Sequence, residues 1–195
     1  MVVPLPGGAV SGVRPVLFGK LPRHGDFIAR NLTPAAREAW DAWASGGLER
    51  AREHLGPGFE AAHDIAPPWR FVSGPGPFGP DWRAGAIAPS IDSAGRRFLI
   101  MLAGEGVDPA AGEVAAEAME SVIYQAFEQD LDADAAIDAA ATALDRAAPA
   151  GEGASVSSER WWTLGGEGHA PRSIEGDPGE LVLRMLTPDA VGATA

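Results

Sequence analysis

Three apolar stretches, Trp69 to Ser73, Ala84 to Pro89 and Arg97 to Ala103, follow one another through links rich in Gly, Pro and Asp. The links are too short for the helical crossovers that parallel neighbours require, so the stretches predict an antiparallel meander. A sheet of this kind needs cover, and the flanking sequence offers it. Thr33-Pro34 starts a helix, with Thr as cap and Pro at the first helical position, where its missing N–H costs nothing. The stripe Ala36, Trp40, Trp43, Ala44, Gly47, Leu48, Ala51, Leu55 has the spacing of a helix face packed on a core. Gly56-Pro57 ends it. Within it, Gly46-Gly47 predicts close approach to a neighbour, because glycine there is otherwise a cost.

Two more helices are expected, Gly112 to Gln129 and about Asp134 to Ala147, the latter capped by Asp134; both inward faces are alanine-rich. Arg14 to Leu21, Glu159 to Leu164 and Leu181 to Leu186 read as further strands. The sum is an α+β fold of about six strands and three helices: a single domain with a mostly antiparallel mixed sheet flanked by helices in α/β/α-like layers. Residues 1–13 are expected to be a flexible leader, 14–187 the domain and 188–195 a frayed tail, with a loop at 149–154. A chain of 195 residues sits within the range of one core.

Charge and composition narrow the function classes. Net charge is -12, and the halves differ: residues 1 to 100 hold 11 basic and 9 acidic side chains, the remainder 4 and 18. Such a chain repels phosphate backbones, which argues against nucleic acid as a partner. From Glu113 to Asp145 there are nine acids and no base, a pattern expected of solvated helix faces. No apolar run is long enough for a membrane helix, and none of the N-terminal sequence resembles an export signal. The absence of cysteine agrees with a reducing compartment, so a cytoplasmic location is expected. No histidine pair has a metal-ligand spacing, and nucleophile-elbow and Walker motifs are absent from the sequence. Gly74-Pro75-Gly76-Pro77-Phe78-Gly79 has the spacing of a dinucleotide loop, but its prolines remove the N–H donors such a loop must offer, and a rigid hairpin-type loop is expected instead. No cofactor is expected.

The best polar constellation is FGKLPRHGDF, Phe18 to Phe27. A catalytic reading makes His24 a general base oriented by Asp26, with Lys20 and Arg23 holding an anion, as in a small hydrolase or phosphoanion-binding enzyme. The favoured reading is a shaped turn in which Gly25 supplies a positive φ, Asp26 accepts local N–H bonds, and Lys20 and Arg23 are exposed for a partner. A second turn, Pro89 to Arg96, offers Ser90, Asp92 and Arg96; Asp92 can pair with Arg96, or Asp26 can meet Arg96 and lock the two loops together. Trp161-Trp162 sends two rings to opposite faces of a strand, with core packing on both faces as the simplest outcome and an interface anchor as the alternative.

Gly19-Lys20-Leu21-Pro22 with Gly25-Asp26-Phe27, Trp40 and Trp43, Pro68-Trp69-Arg70-Phe71, Gly85, Pro89-Ser90-Ile91-Asp92, Gly95-Arg96-Arg97-Phe98 and Trp161-Trp162-Thr163 occur in the order found in the TagF family of type VI secretion-associated proteins. The chain resembles that family over about residues 16 to 164. The resemblance implies a non-enzymatic, cytoplasmic, post-translational repressor of the type VI secretion apparatus, acting through contact with a forkhead-associated scaffold protein. It attaches no catalytic residue, cofactor or metal to this domain.

Overall fold

In the computed structural model, residues 12–147, 159–176 and 178–189 are described. The meander expected from the sequence forms the middle of one sheet: β3 (Trp69–Ser73), β4 (Arg83–Ile91) and β5 (Arg97–Glu105) pair antiparallel in chain order. On the β5 side the sheet continues with β1 (Arg14–Gly19) and then β2 (Ile28–Arg30). Beyond β3 come β6 (Arg160–Thr163) and β7 (Arg172–Glu175), giving the order β2-β1-β5-β4-β3-β6-β7 with every pair antiparallel.

Helices cover both faces. On one lie α1 (Pro34–Leu55), α2 (Phe59–Ile65) and α5 (Leu181–Leu186); on the other lie α3 (Gly112–Glu128) and α4 (Ala133–Arg146). The architecture is the expected α+β fold in three layers. Strand alternation divides the core. Val16, Phe18, Phe71, Ile87, Met101 and Trp161 face α1 and α5, whereas Leu17, Val72, Ala86, Leu102 and the Trp162 ring face α3 and α4. The alanine face of α3 meets Ala84, Ala86 and Ala88, so small side chains on both sides bring helix and sheet close, while α4 packs on α3 and over β1, β2 and β5.

Several elements differ from the sequence reading. Leu181–Leu186 is helix, because a short apolar run fits either period; burial of Leu181, Val182, Met185 and Leu186 follows a helical stripe. With that segment removed and the short strands β2 and β7 added, the sheet has seven strands. The chain does not leave helix at Gly56 for good: a 3₁₀ turn at Gly56–Gly58 leads into α2, whose Phe59 and His63 are buried. The cap of α4 is Asp132, whose carboxylate accepts from Asp134 N and Ala135 N, in place of Asp134. Thr33 caps α1 as expected. Gly47 lies where an added Cβ would sit 2.6 Å from Val182 of α5, which explains half of the glycine pair by close helix packing. The expected leader and the loop at 149–154 lie outside the described residues except at Gly12 and Val13. Of the expected tail, Pro188 and Asp189 are described, and Asp189 N donates to Gly168 O at 2.9 Å.

Candidate functional site: two joined loops

The β1–β2 connection and the β4–β5 turn lie side by side at one end of the sheet, and Asp92 is their hub. Its Oδ2 accepts from Lys20 Nζ at 2.7 Å and from Arg96 Nε at 2.7 Å, while Oδ1 accepts from Ala94 N at 3.0 Å and Arg96 N at 2.9 Å. Burial alone would raise the Asp92 pKa, but the bond from Lys20 and those from Arg96 and Ala94 outweigh it and hold the carboxyl well below the usual range. Ser90 Oγ donates to Lys20 O at 2.7 Å, Ser93 N donates to His24 O at 3.0 Å, and the Arg96 guanidinium donates to Gly25 O. The two loops are therefore bonded at several points. Of the two partners open to Arg96 from the sequence, it takes Asp92 and not Asp26, and it locks the loops through the Gly25 carbonyl.

Lys20 is 4% exposed, so the expectation that it faces a partner fails. Its ammonium also lies 4.8 Å from the Phe27 ring centroid, and Phe27 packs edge-on against Phe98 at 4.7 Å. The reason is the backbone of Gly19. At φ 129° it turns the chain so tightly over β5 that an added Cβ would lie 2.1 Å from Leu99 O. The positive φ expected at Gly25 is thus found at Gly19, and at Gly95 in the facing turn (φ 78°). Asp26 does accept a local bond, from Phe27 N at 2.9 Å.

The remaining loop side chains tie the site to the second helical layer. Arg23 is exposed and donates to Asp130 O at 3.1 Å, next to the start of α4. His24 Nε2 accepts from Ala133 N at 3.0 Å, satisfying a first-turn N–H of α4 that has no intrahelical partner. A histidine so engaged presents no free Nε2 to a substrate. Its assigned catalytic partner, Asp26, spends its Oδ1 on the next residue's N–H.

Trp161 and Trp162 sit far along the sheet from this loop pair. The Trp161 ring is fully buried and stacks on Phe71 at 4.6 Å. Trp162 is half-buried against the α3 side, with the Arg160 guanidinium 4.2 Å from its ring centroid. Both rings are core cover. In the Gly74 to Gly79 loop, Gly76 and Gly79 exchange backbone bonds of 2.9 and 3.0 Å, the rigid turn expected in place of a nucleotide loop. With Trp43 and Trp161 it lines an open cavity of about 530 Å³.

The acidic helices are less bare than their sequence suggests. Sheet arginines reach them: Arg70 bonds Glu120 at 2.5 Å, Arg160 bonds Glu113 at 2.5 Å and Arg30 bonds Asp134 at 2.6 Å. Among the described residues, no cluster of three or more His, Asp or Glu side chains is placed to hold a metal ion. No described helix is long and apolar enough to cross a membrane.

A family described as TagF N-terminal domain, type VI secretion system-associated, matches residues 16–148, which takes in the whole loop pair. The chain belongs to this family. Among curated proteins, no sequence matches significantly. A crystal structure of PA0076 from Pseudomonas aeruginosa PAO1 superposes with a TM-score of 0.69 at 24% identity, covering 93% of this chain and 98% of that one. That likeness speaks to the fold. Family membership places the chain among type VI secretion-associated proteins, and of the motif residues quoted from the sequence, Lys20, Gly25, Ser90, Asp92 and Arg96 join the two loops, while Asp26 bonds only within its own.

Proposed function

We propose that this TagF-family chain is a non-enzymatic, cytoplasmic regulator that restrains the type VI secretion apparatus after translation by binding its forkhead-associated scaffold protein. Family membership supplies the setting. The observation that carries the non-enzymatic part is the internal use of the loop's polar groups: His24 Nε2 is taken by Ala133 N–H, and Lys20 and Asp92 are buried on each other. A hydrolase built on Lys20, Arg23, His24 and Asp26 would need these groups turned toward a common substrate. Regulation by binding needs only a shaped surface, which the joined loops provide.

Two measurements test the reading. Deletion should raise secretion if the chain restrains the apparatus, whereas a structural subunit predicts loss of secretion. Purified chain should capture the scaffold of the same genome at micromolar concentration; absence of a complex there contradicts scaffold binding.

A further inference from the structure

β4 outruns β3. The pairing of these strands begins at Trp69 opposite Ile87, yet β4 continues through Ile91, still paired on its other side with β5. Pro67 and Pro68 precede Trp69 and have no N–H to pair with β4, and they line one cavity with Ala88 and Pro89. Beside Ala88 to Ile91 there is consequently strand edge in the interior of the sheet.

Which backbone groups that edge offers follows from the register. Asp92 N donates to Arg96 O at 3.2 Å, in line with the Ser90↔Phe98 and Ile91↔Arg97 positions. Since donor and acceptor directions alternate along an antiparallel strand, even-numbered residues here address β5 and odd-numbered ones the open side. Pro89 stands where no ladder bond is lost for want of an N–H, as expected of proline on an unpaired strand side. The Pro89 carbonyl and the N–H and carbonyl of Ile91 make no hydrogen bond among the described residues.

No described residue covers the edge. Cavities of about 310 and 320 Å³ run along it and share Asp64, Pro89 and Phe127 as lining. One wall is the end of α2 and the segment after it, with Ile65 45% exposed; the other is α3, with Tyr124 47% exposed above Phe127.

We infer that this groove takes an extended segment of a partner protein, which adds a short strand beside Ala88 to Ile91 of β4. The recognising chemistry is backbone: one donor and two acceptors in a row, spaced for a strand of about four residues. Alternate side chains of the segment would point to Phe127 and Tyr124 on one face and to Ile65 and Asp64 on the other. An apolar residue suits the first position; Asp64 at the second is already bonded by Arg97 through both oxygens at 2.8 Å, so a neutral residue suits that one, and the net charge of -12 favours a neutral or basic segment over an acidic one. The inference rests on the reading of the chain as a partner-binding protein, though not on the scaffold's being that partner.

The test selects peptides on the full chain from a random decapeptide phage library and maps the tightest one, synthesised, by amide exchange and chemical shift. Protection of the Ile91 amide on binding, with shifts at Tyr124 and Phe127, is the expected result. Ile91→Pro removes the donor and should weaken binding at least fivefold; Tyr124→Glu, at an exposed position that leaves folding intact, should do the same. Failure to select any peptide, binding that leaves Ile91 unprotected, or binding unaltered by Tyr124→Glu overturns the proposal. So does protection of Ile91 in the free chain that disappears on dilution, which would assign the edge to a second copy. Failure of the peptide to bind at Ile91 with scaffold capture intact removes the groove and leaves the regulatory reading standing; peptide binding at Ile91 without scaffold capture does the reverse.

Discussion

Asp92 carries more of the loop geometry than its neighbours, and the exposure of its partners says how much each contributes. Lys20 is buried with it, whereas the Arg96 side chain is 56% exposed. A surface pair contributes little, while breaking a buried pair strands a charge away from water. Asp92→Asn should therefore lower the thermal midpoint at least twice as far as Arg96→Ala, and the double replacement Lys20→Met with Asp92→Asn, which keeps an acceptor for Ala94 N and Arg96 N and leaves no buried charge, should fall less than the single Asp92→Asn; differential scanning calorimetry decides both. His63 gives the pH dependence its first step. Burial lowers its pKa, only partly offset by its bonds to Phe98 O and Asp64, so it folds neutral. The unfolded state then binds the proton first, and stability falls as pH drops below about 6.5, the unperturbed histidine value. Asp92 and Glu105, held below the ordinary carboxylate range against their burial by Lys20 and Arg83 respectively, keep their contribution above about pH 4 and lose it as pH falls further toward their lowered folded values. His169, likewise lowered by burial and by Arg172, adds to the same step, so midpoints measured from pH 8 to 3 should show a shallow loss beginning near 6.5, reduced in His63→Gln, before the steeper carboxylate loss.

Among elements, α1 offers the sharpest contrast. Gly46 and Gly47 are adjacent, but an added Cβ at Gly46 meets only the end of Arg50 at 3.4 Å, whereas at Gly47 it meets Val182 at 2.6 Å. Gly46→Ala should stabilise by about 0.5–1 kcal/mol through helix propensity. Gly47→Ala gains the same term and loses about 1–3 kcal/mol to overpacking against α5, so its net effect is destabilising. Urea unfolding of the two variants should move the midpoint in opposite directions. Trp161→Ala, at a site 0% exposed, should cost about 3–5 kcal/mol. These contrasts also mark what sequence could reveal. The meander, α1 and the Thr33 cap were legible because period and punctuation agree. Leu181–Leu186 was not, since its helical period shows only through contact with α1. Lys20 was misplaced because a lysine in a Gly-Pro loop reads as solvent-facing; its burial depends on Asp92, 72 residues away. Pro67, Pro68 and Pro89 did carry a signal for the open edge, but only the register of β3 on β4 gives it meaning.

Across the molecule, the joined loops, the helix cap from His24 and the sheet arginines reaching α3 and α4 all use charge to bind one layer to the next. That is why the acidic second half does not stand apart from the more balanced first half. On the proposed reading, function resides in surface, with the interrupted edge of β4 and the loop end of the sheet as its shaped parts. The measurement that bears on this most directly is secretion by three strains, carrying the native chain, the deletion and His24→Gln, in which the amide oxygen can still accept from Ala133 N–H while the base is removed. Regulation by binding predicts that His24→Gln stays at the restrained native level and the deletion rises above it. A folded His24→Gln chain that releases secretion to the level of the deletion would contradict the account and return the loop to catalysis.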